Sequence, residues 1–351
     1  MFTLSLRASI ACVCSALASC VAADTQIGSH LDPLELAHPL HGVYHWDAPR
    51  GPSNVDAFAA WSGRPIELAS AYAPNSTWDE LHDLGWQMPA WASWAREQPG
   101  RRIVYALPML IEPGDTLAAC AQGAYDVHFA AVGASLVDAG LTNAIVRIGW
   151  EWDGDWFAWS SRGHEREYAG CFQSAVRAMR NARPEGQLQF EWSASDDIFW
   201  RTPEQIAAAY PGDEYVDVFG VNAYDVSWVP NSYPLPGTCS DECKRTRRET
   251  AWNDMMRGVY LTRDLAAAHD KPIAIPEWGL WDRSDGNGGG DNADYVARMH
   301  AFVNEPSNRV LYQVYFDIDY VDGAHQISNL DGNQTLFPNA AAKYRELFGG
   351  D

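Results

Sequence analysis

Basic residues are scarce in this chain: 25 Lys and Arg stand against 46 Asp and Glu in 351 residues, a formal net charge of −21 at pH 7. Affinity for nucleic-acid phosphates comes from clustered Lys and Arg, and the only basic run is the short stretch Lys244 to Arg248, so composition argues against a nucleic-acid partner. An anionic membrane surface is disfavoured for the same reason. Long apolar runs are also missing, since no stretch beyond the N-terminal segment has 18 uninterrupted apolar residues, which removes a membrane span from the rest of the chain. There is no repeat of 20 to 50 residues and no dividing linker. Several reactive motifs are missing too. No Gly-rich phosphate loop occurs, His164-Glu165 lacks the second His of H-E-x-x-H, and Ser160 and Ser161 lie outside any nucleophile elbow.

Hydrophobic residues make up 47% and charged residues 20%, ordinary for a globular chain, so disorder, collagen and coiled coil can be set aside. Aromatic residues are plentiful, with 16 Trp, 15 Tyr and 12 Phe. Rings beyond what a core can bury often serve as stacking surfaces for ligands with apolar faces, and sugar rings are such ligands.

Residues 1–23 read as a signal peptide, with Arg7 the only charge before Asp24 and an apolar run from Ile10 to Ala23 too short to span a bilayer. Cleavage after Ala23 would give a soluble secreted or periplasmic protein. Cleavage before Cys20, where Leu17-Ala18-Ser19-Cys20 resembles a lipoprotein box, would anchor it by lipid to a bacterial envelope. Four cysteines remain after the signal, Cys120, Cys171, Cys239 and Cys243, and an even set in an exported chain reads as disulfides. Of the three possible pairings, helix adjacency and short loop closure favour Cys120 with Cys171 and Cys239 with Cys243. A zinc site is the alternative, though no two of these cysteines have C-x₂-C spacing.

Residues 24–351 are expected to form one domain. Eight β-rich runs alternate with helical patterns: Gly42 to Tyr44, Pro65 to Ala71, Arg102 to Met109, Ala144 to Trp150, Gln187 to Trp192, Val216 to Tyr224, Pro272 to Trp278 and Val310 to Asp317. Helical spacing appears at Phe129, Val132 and Leu136 ahead of Gly140, and in the apolar stripe from Tyr168 to Met179. Further helices are expected over Trp252 to His269, Asn292 to Asn304 and Pro338 to Leu347. The pattern predicts an α/β fold, a single (β/α)8 TIM barrel. In such a barrel, chemistry sits at the C-terminal ends of the strands. That rule selects Glu112, Glu151, Trp192, Tyr224, Glu277 and Asp317. The stretch from Asp225 to Thr250 is expected to wall the cleft.

Glu151 ends the fourth strand in Arg147-Ile148-Gly149-Trp150-Glu151-Trp152-Asp153-Gly154-Asp155-Trp156, and Glu277 ends the seventh in Pro276-Glu277-Trp278-Gly279. Two carboxyl groups facing each other across a barrel mouth are what glycoside hydrolysis uses. One protonates the departing oxygen, and the other attacks the anomeric carbon or activates water. Burial beside Trp150, Trp152 and Trp278 would help keep the acid protonated. Trp156, Trp159 and Trp281 follow the catalytic strands in loops and are read as sugar-stacking residues, as are Trp150 and Trp192.

The stretch RIGWEWDGDWFAW resembles the acid/base segment of glycoside hydrolase family 26, whose pattern is roughly R-x-G-H-E-M-N-G-x-W-x-x-W. GVYHWD, VDVFGVNAYD and KPIAIPEWG add matches over most of the chain. The resemblance implies a retaining, endo-acting barrel hydrolase with Glu151 as acid/base and Glu277 as nucleophile. It also places Tyr224 where the family has a tyrosine bonded to the nucleophile, and Asn222 where mannanases commonly have Asp. Trp150 stands for the usual His and Asp153 for the usual Asn, both expected with Asn222 and Tyr224 among the substrate-binding residues, so the hydrogen bonds around the centre must differ and the polymer stays open. β-Mannan, β-1,3-xylan, mixed-linkage β-glucan and a bacterial exopolysaccharide all fit. The expected partner is a polysaccharide or oligosaccharide, the expected state a monomer, and no cofactor or metal is implied. The Gly-rich run Asp285 to Asp291 has calcium-like oxygen spacing but lacks the closing Glu of an EF-hand, and reads better as a loop. A binding barrel without turnover, or a transglycosylase using the same carboxylates, is the rival reading.

Overall fold

The computed structural model describes residues 38–332 and 334–350, so the expected signal and its Cys20 lie outside the described residues. Nine strands occur among the described residues: β1 (Leu40–Tyr44), β2 (Leu68–Tyr72), β3 (Arg102–Leu107), β4 (Ile145–Ile148), β5 (Gln189–Ala194), β6 (Val218–Val221), β7 (Ala223–Tyr224), β8 (Ile273–Gly279) and β9 (Val310–Phe316). All pairings between them are parallel. β1 pairs with both β2 and β9, and β6 pairs with β8, so the sheet closes on itself. β6 and β7 are one strand interrupted at Asn222, which makes the closed barrel eight-stranded and accounts for all eight expected runs.

The helices are α1 (Gly51–Ser62), α2 (Met88–Glu97), α3 (Leu117–Ala121), α4 (Asp126–Asp138), α5 (Glu165–Ala182), α6 (Pro203–Ala209), α7 (Asp241–Ala268), α8 (Ala293–Val303) and α9 (Pro338–Phe348). None among the described residues is long and apolar enough to cross a membrane. α7 corrects the sequence reading: it starts eleven residues before Trp252, capped by the Ser240 side chain, which accepts from the Cys243 amide. Its polar first turns show no apolar stripe, so the tail of the expected cleft wall is helix. α1, α2, α3 and α6 also lie outside the expected helices. Both disulfides take the favoured pairing, Cys120–Cys171 joining α3 to α5 with Cα atoms 4.8 Å apart, and Cys239–Cys243 with Cα atoms 5.3 Å apart.

Strand alternation sorts the side chains into two layers. Leu40, Tyr44, Leu68, Val104, Ile145, Val218, Ala274, Tyr312 and Val314 pack together inside the barrel, while Val43, Ala69, Tyr105, Val146, Phe190 and Ile275 face the helices. Polar groups share the interior at the upper ends of β4, β5, β6 and β8, and there the site lies.

Candidate active site

β4 carries Arg147 between outward-facing Val146 and Ile148, so its side chain points into the barrel, where it is completely buried. A buried guanidinium must find acceptors for its donors. Nη2 donates to Asn222 Oδ1 at 2.8 Å, Nε donates to Ser193 Oγ at 3.1 Å, and Nη1 donates to Glu277 Oε1. Glu191, also fully buried, lies 3.4 Å from Nε and accepts from the Tyr312 hydroxyl. Burial opposes the arginine's charge, but Glu277, Tyr72 and Glu191 more than offset it and push its pKa upward.

Glu277 reaches this arginine through a break in strand register. Ile275 pairs with Gln313, but Trp278 pairs with Tyr315, so three steps on β8 match two on β9. The extra residue is a bulge at Pro276-Glu277, where proline's missing amide costs no ladder bond. With Ala274 facing in and Ile275 facing out, strict alternation would turn Glu277 toward the helices. The bulge turns it inward. Its Oε1 also accepts from Tyr72 Oη at 2.8 Å, and its Oε2 from Tyr224 Oη at 2.9 Å. An ionised carboxylate can accept from all three donors, because it has acceptor sites only.

Glu151 follows β4 on a strained backbone, with φ of +52°. Gly149 just before it has φ of +54°, and a Cβ there would come within 2.1 Å of Met109 Sδ, so only glycine fits the turn. The Glu151 amide is fixed to Ser193 O at 2.8 Å. Its Oε1 accepts from Asn222 Nδ2 at 2.6 Å and its Oε2 from Trp156 Nε1 at 2.6 Å. Burial, and next the negative charge of Glu277, push its pKa up to about 7. Asn222, where β6 breaks into β7, therefore touches Glu151 with its amide nitrogen and Arg147 with its oxygen. The two glutamates are joined through one Asn–Arg bridge, one paired with a fixed cation and the other inclined to keep its proton.

The remaining candidates divide. Trp156 is 50% exposed, and Trp281 is partly exposed and lies against Tyr224 with ring centres 5.3 Å apart. Trp150 is mostly buried, edge-on to Tyr72 at 5.4 Å and 5.7 Å from the Arg147 guanidinium, so it backs the groups that hold Glu277. Three readings need correction. Trp192 is buried, stacked on Trp152 at 4.7 Å, because Glu191 and Ser193 take the inward positions of β5 and leave it facing the helices. Trp159 is buried with its Nε1 donating to Trp150 O at 2.8 Å, so it braces the loop and is covered from sugar. Asp153 is buried and accepts from Ser195 N at 2.8 Å and Ser195 Oγ at 2.6 Å, tying the loop after β4 to the loop after β5.

Of the other strand-end residues, Glu112 is exposed and accepts from the Trp78 amide, while Asp317 is buried among His45, Ser328 and two backbone amides. In the glycine-rich loop, Asp285 accepts from Arg283 and Asp291 accepts from the first amides of α9, so both carboxylates are already engaged. No group of three or more potential metal-ligating side chains occurs among the described residues. Arg147, Tyr72 and Glu191 are site residues that neither the strand-end rule nor the motifs single out.

Fold and site together define a class, a (β/α)8 barrel with a carboxyl pair at the C-terminal ends of its fourth and seventh barrel strands. Residues 126–236, which include Glu151, Asn222 and Tyr224, match the family model described as Glycosyl hydrolase family 26. A mannan endo-1,4-beta-mannosidase of Bifidobacterium adolescentis is 26% identical over 144 residues, 40% of this chain but only 13% of that longer protein. Among solved structures, GH26C from a Muricauda species superposes with a TM-score of 0.62 at 15% identity, covering 88% of this chain and 85% of that one. The catalytic domain of a Bacillus sp. JAMB-750 GH26 endo-beta-1,4-mannanase gives 0.62 at 18% identity, covering 90% and 87%. Residues 126–236 are thus similar to glycosyl hydrolase family 26, and the solved structures share the barrel fold.

Proposed function

We propose that this protein is a glycoside hydrolase that cleaves β-glycosidic bonds within a polysaccharide by double displacement, with a β-mannan as its first candidate substrate. One observation carries the reading: Glu151 and Glu277 share the Asn222–Arg147 bridge, with Glu277 paired to the Arg147 cation while burial and the Glu277 charge push the Glu151 pKa up to about 7. Glu277, held by Arg147, Tyr72 and Tyr224, attacks the anomeric carbon and forms a glycosyl ester. Glu151 gives its proton to the departing oxygen, and the same residue then takes a proton from the water that hydrolyses the ester. Trp156 and Trp281 offer rings to the sugars on either side. The mannan preference draws on what the Bifidobacterium relative's name says it cleaves. Replacing His by Trp150 and Asn by Asp153 leaves both carboxyls in place, which favours a hydrolase over a barrel that only binds.

Turnover is tested with Glu277→Ala on a panel of β-mannan, β-1,3-xylan and mixed-linkage β-glucan, sizing the products and following their anomeric form by NMR. The expected result is intact polymer binding, no reducing ends from the variant, and retained configuration in the parent's products. Unchanged hydrolysis by the variant rejects the assignment. We further infer an exported, monomeric catalytic domain over residues 24–351, in keeping with two disulfides of a kind that persist in oxidising compartments. N-terminal sequencing of the secreted protein would fix the cleavage point.

A further inference from the structure

Beyond the carboxyl pair, the wall of the mouth formed by the loops after β7 and β8 has its own organisation. Asp225, Val226 and Ser227 are buried, yet the next residue, Trp228, is 60% exposed. Its loop is firmly braced. The Asp225 carboxylate accepts from Tyr233 Oη at 2.6 Å and from Asn292 Nδ2 at 2.7 Å. The Ser227 amide donates to Asn287 O at 3.0 Å, the Gly289 amide donates to Asp225 O at 2.8 Å, and Val226 pairs with Gly288 in an antiparallel bridge. The two loops are zipped together, so the indole stands on a base whose ordering cost is met before any ligand arrives.

The exposed ring is also aligned with the reacting centre. The Arg283 guanidinium lies 5.2 Å from the Trp228 ring and 4.4 Å from the Trp281 ring. Trp281 meets Tyr224, whose hydroxyl donates to Glu277. A continuous row thus runs Glu277, Tyr224, Trp281, Arg283, Trp228. Arg283 is matched by Asp285, to which it donates from Nε and Nη2 at 3.1 Å, so the row carries no unbalanced charge of its own. A chain of net charge −21 also repels polyanions. The row suits a neutral sugar with an apolar face.

We propose that Trp228 is a remote subsite, stacking on a neutral hexose unit of the polysaccharide several places from the bond being cleaved. This rests on the hydrolase reading for the direction of the chain, but the stacking itself can be tested without turnover. For Trp228→Ala, kcat/KM on β-1,4-linked manno-oligosaccharides of six units should fall roughly tenfold. The change should lie in KM, with oligosaccharides of three units and the thermal midpoint unaffected, and Trp228→Phe should recover most of the loss. In native gels containing soluble galactomannan, the intact parent should be retarded and Trp228→Ala should run freely. A parent that is retarded but releases no product from any polymer, with retardation lost in the variant, would sink the hydrolase reading and leave the subsite standing. Equal behaviour of parent and Trp228→Ala on long substrates and in the gels overturns the subsite.

Discussion

Trp156→Phe isolates one hydrogen bond to the proposed acid while keeping an aromatic ring at the mouth. Trp156 Nε1 donates to Glu151 Oε2 at 2.6 Å, and such a bond favours the ionised carboxylate. Removing it should therefore raise the Glu151 pKa above its present value of about 7. A hydrogen bond to a charged group contributes about 1.5 to 3 kcal/mol when shielded, and halving that for the half-exposed indole leaves about 1 kcal/mol, or roughly 0.7 of a pH unit. Glu151 must carry a proton to assist departure of the leaving sugar, so it sets the alkaline limb of kcat/KM in the free enzyme. The assay is initial-rate hydrolysis of the preferred polymer across pH 4 to 9, and the alkaline limb should move upward by about that amount. Asn222→Ala removes the other donor to Glu151 and should move the limb the same way, but it also strips Arg147 of an acceptor and so should cost kcat. A limb that stays put or moves downward in Trp156→Phe would refute the assignment of Glu151 as the acid.

Tyr224→Phe removes one of the three donors to Glu277 and should lower kcat by roughly 10- to 100-fold, with little change in thermal midpoint; an unchanged kcat would mean that this contact does not act on the nucleophile. Removing Cys120–Cys171, which closes 51 residues, should cost about 4 kcal/mol in denaturant unfolding, and removing Cys239–Cys243, which closes 4, about 2 kcal/mol. The reverse order would show that native packing, rather than loop closure, sets their contributions. Stability should also decline from about pH 4.5 to 7, because burial raises Asp47 and Asp153 to about 6 and Glu151 and Glu191 to about 7. The folded chain then holds protons that the unfolded chain releases near pH 4, so ΔG of unfolding falls as pH rises through the folded values. Thermal midpoints that climb across that interval would contradict this.

The barrel was legible because each of its strands is covered on both faces and so reads as a short apolar run, and eight such runs leave few closed alternatives. What the runs did not show was α1, α2, the short α3 and α6, and the head of α7. In α7, Lys244 to Arg248 lies largely at the surface and carries no apolar stripe to mark it. Glu151 and Glu277 were legible as strand ends within motifs. Arg147 left a signal that went unused: a lone charge between Val146 and Ile148 in a core strand has no route to water and requires a counter-ion. Tyr72 left none, since a tyrosine closing a strand is equally at home in a core.

The misread tryptophan of β5 and the bulged strand carrying Glu277 have one cause. Proximity to a strand's end can be read from sequence, but the face a residue takes depends on parity, and one inserted residue reverses parity. On β5 the alternation runs unbroken through Glu191 and Ser193, which gives the interior to the residues that hold Arg147 and sends Trp192 outward. On β8 the irregularity at Pro276 reverses it, bringing Glu277 to that same arginine and sending Trp278 out against Tyr344 and Phe348. Proline is thus the local residue that lets an acid on a fully paired inner strand face the cleft, since its position in the ladder has no amide to lose.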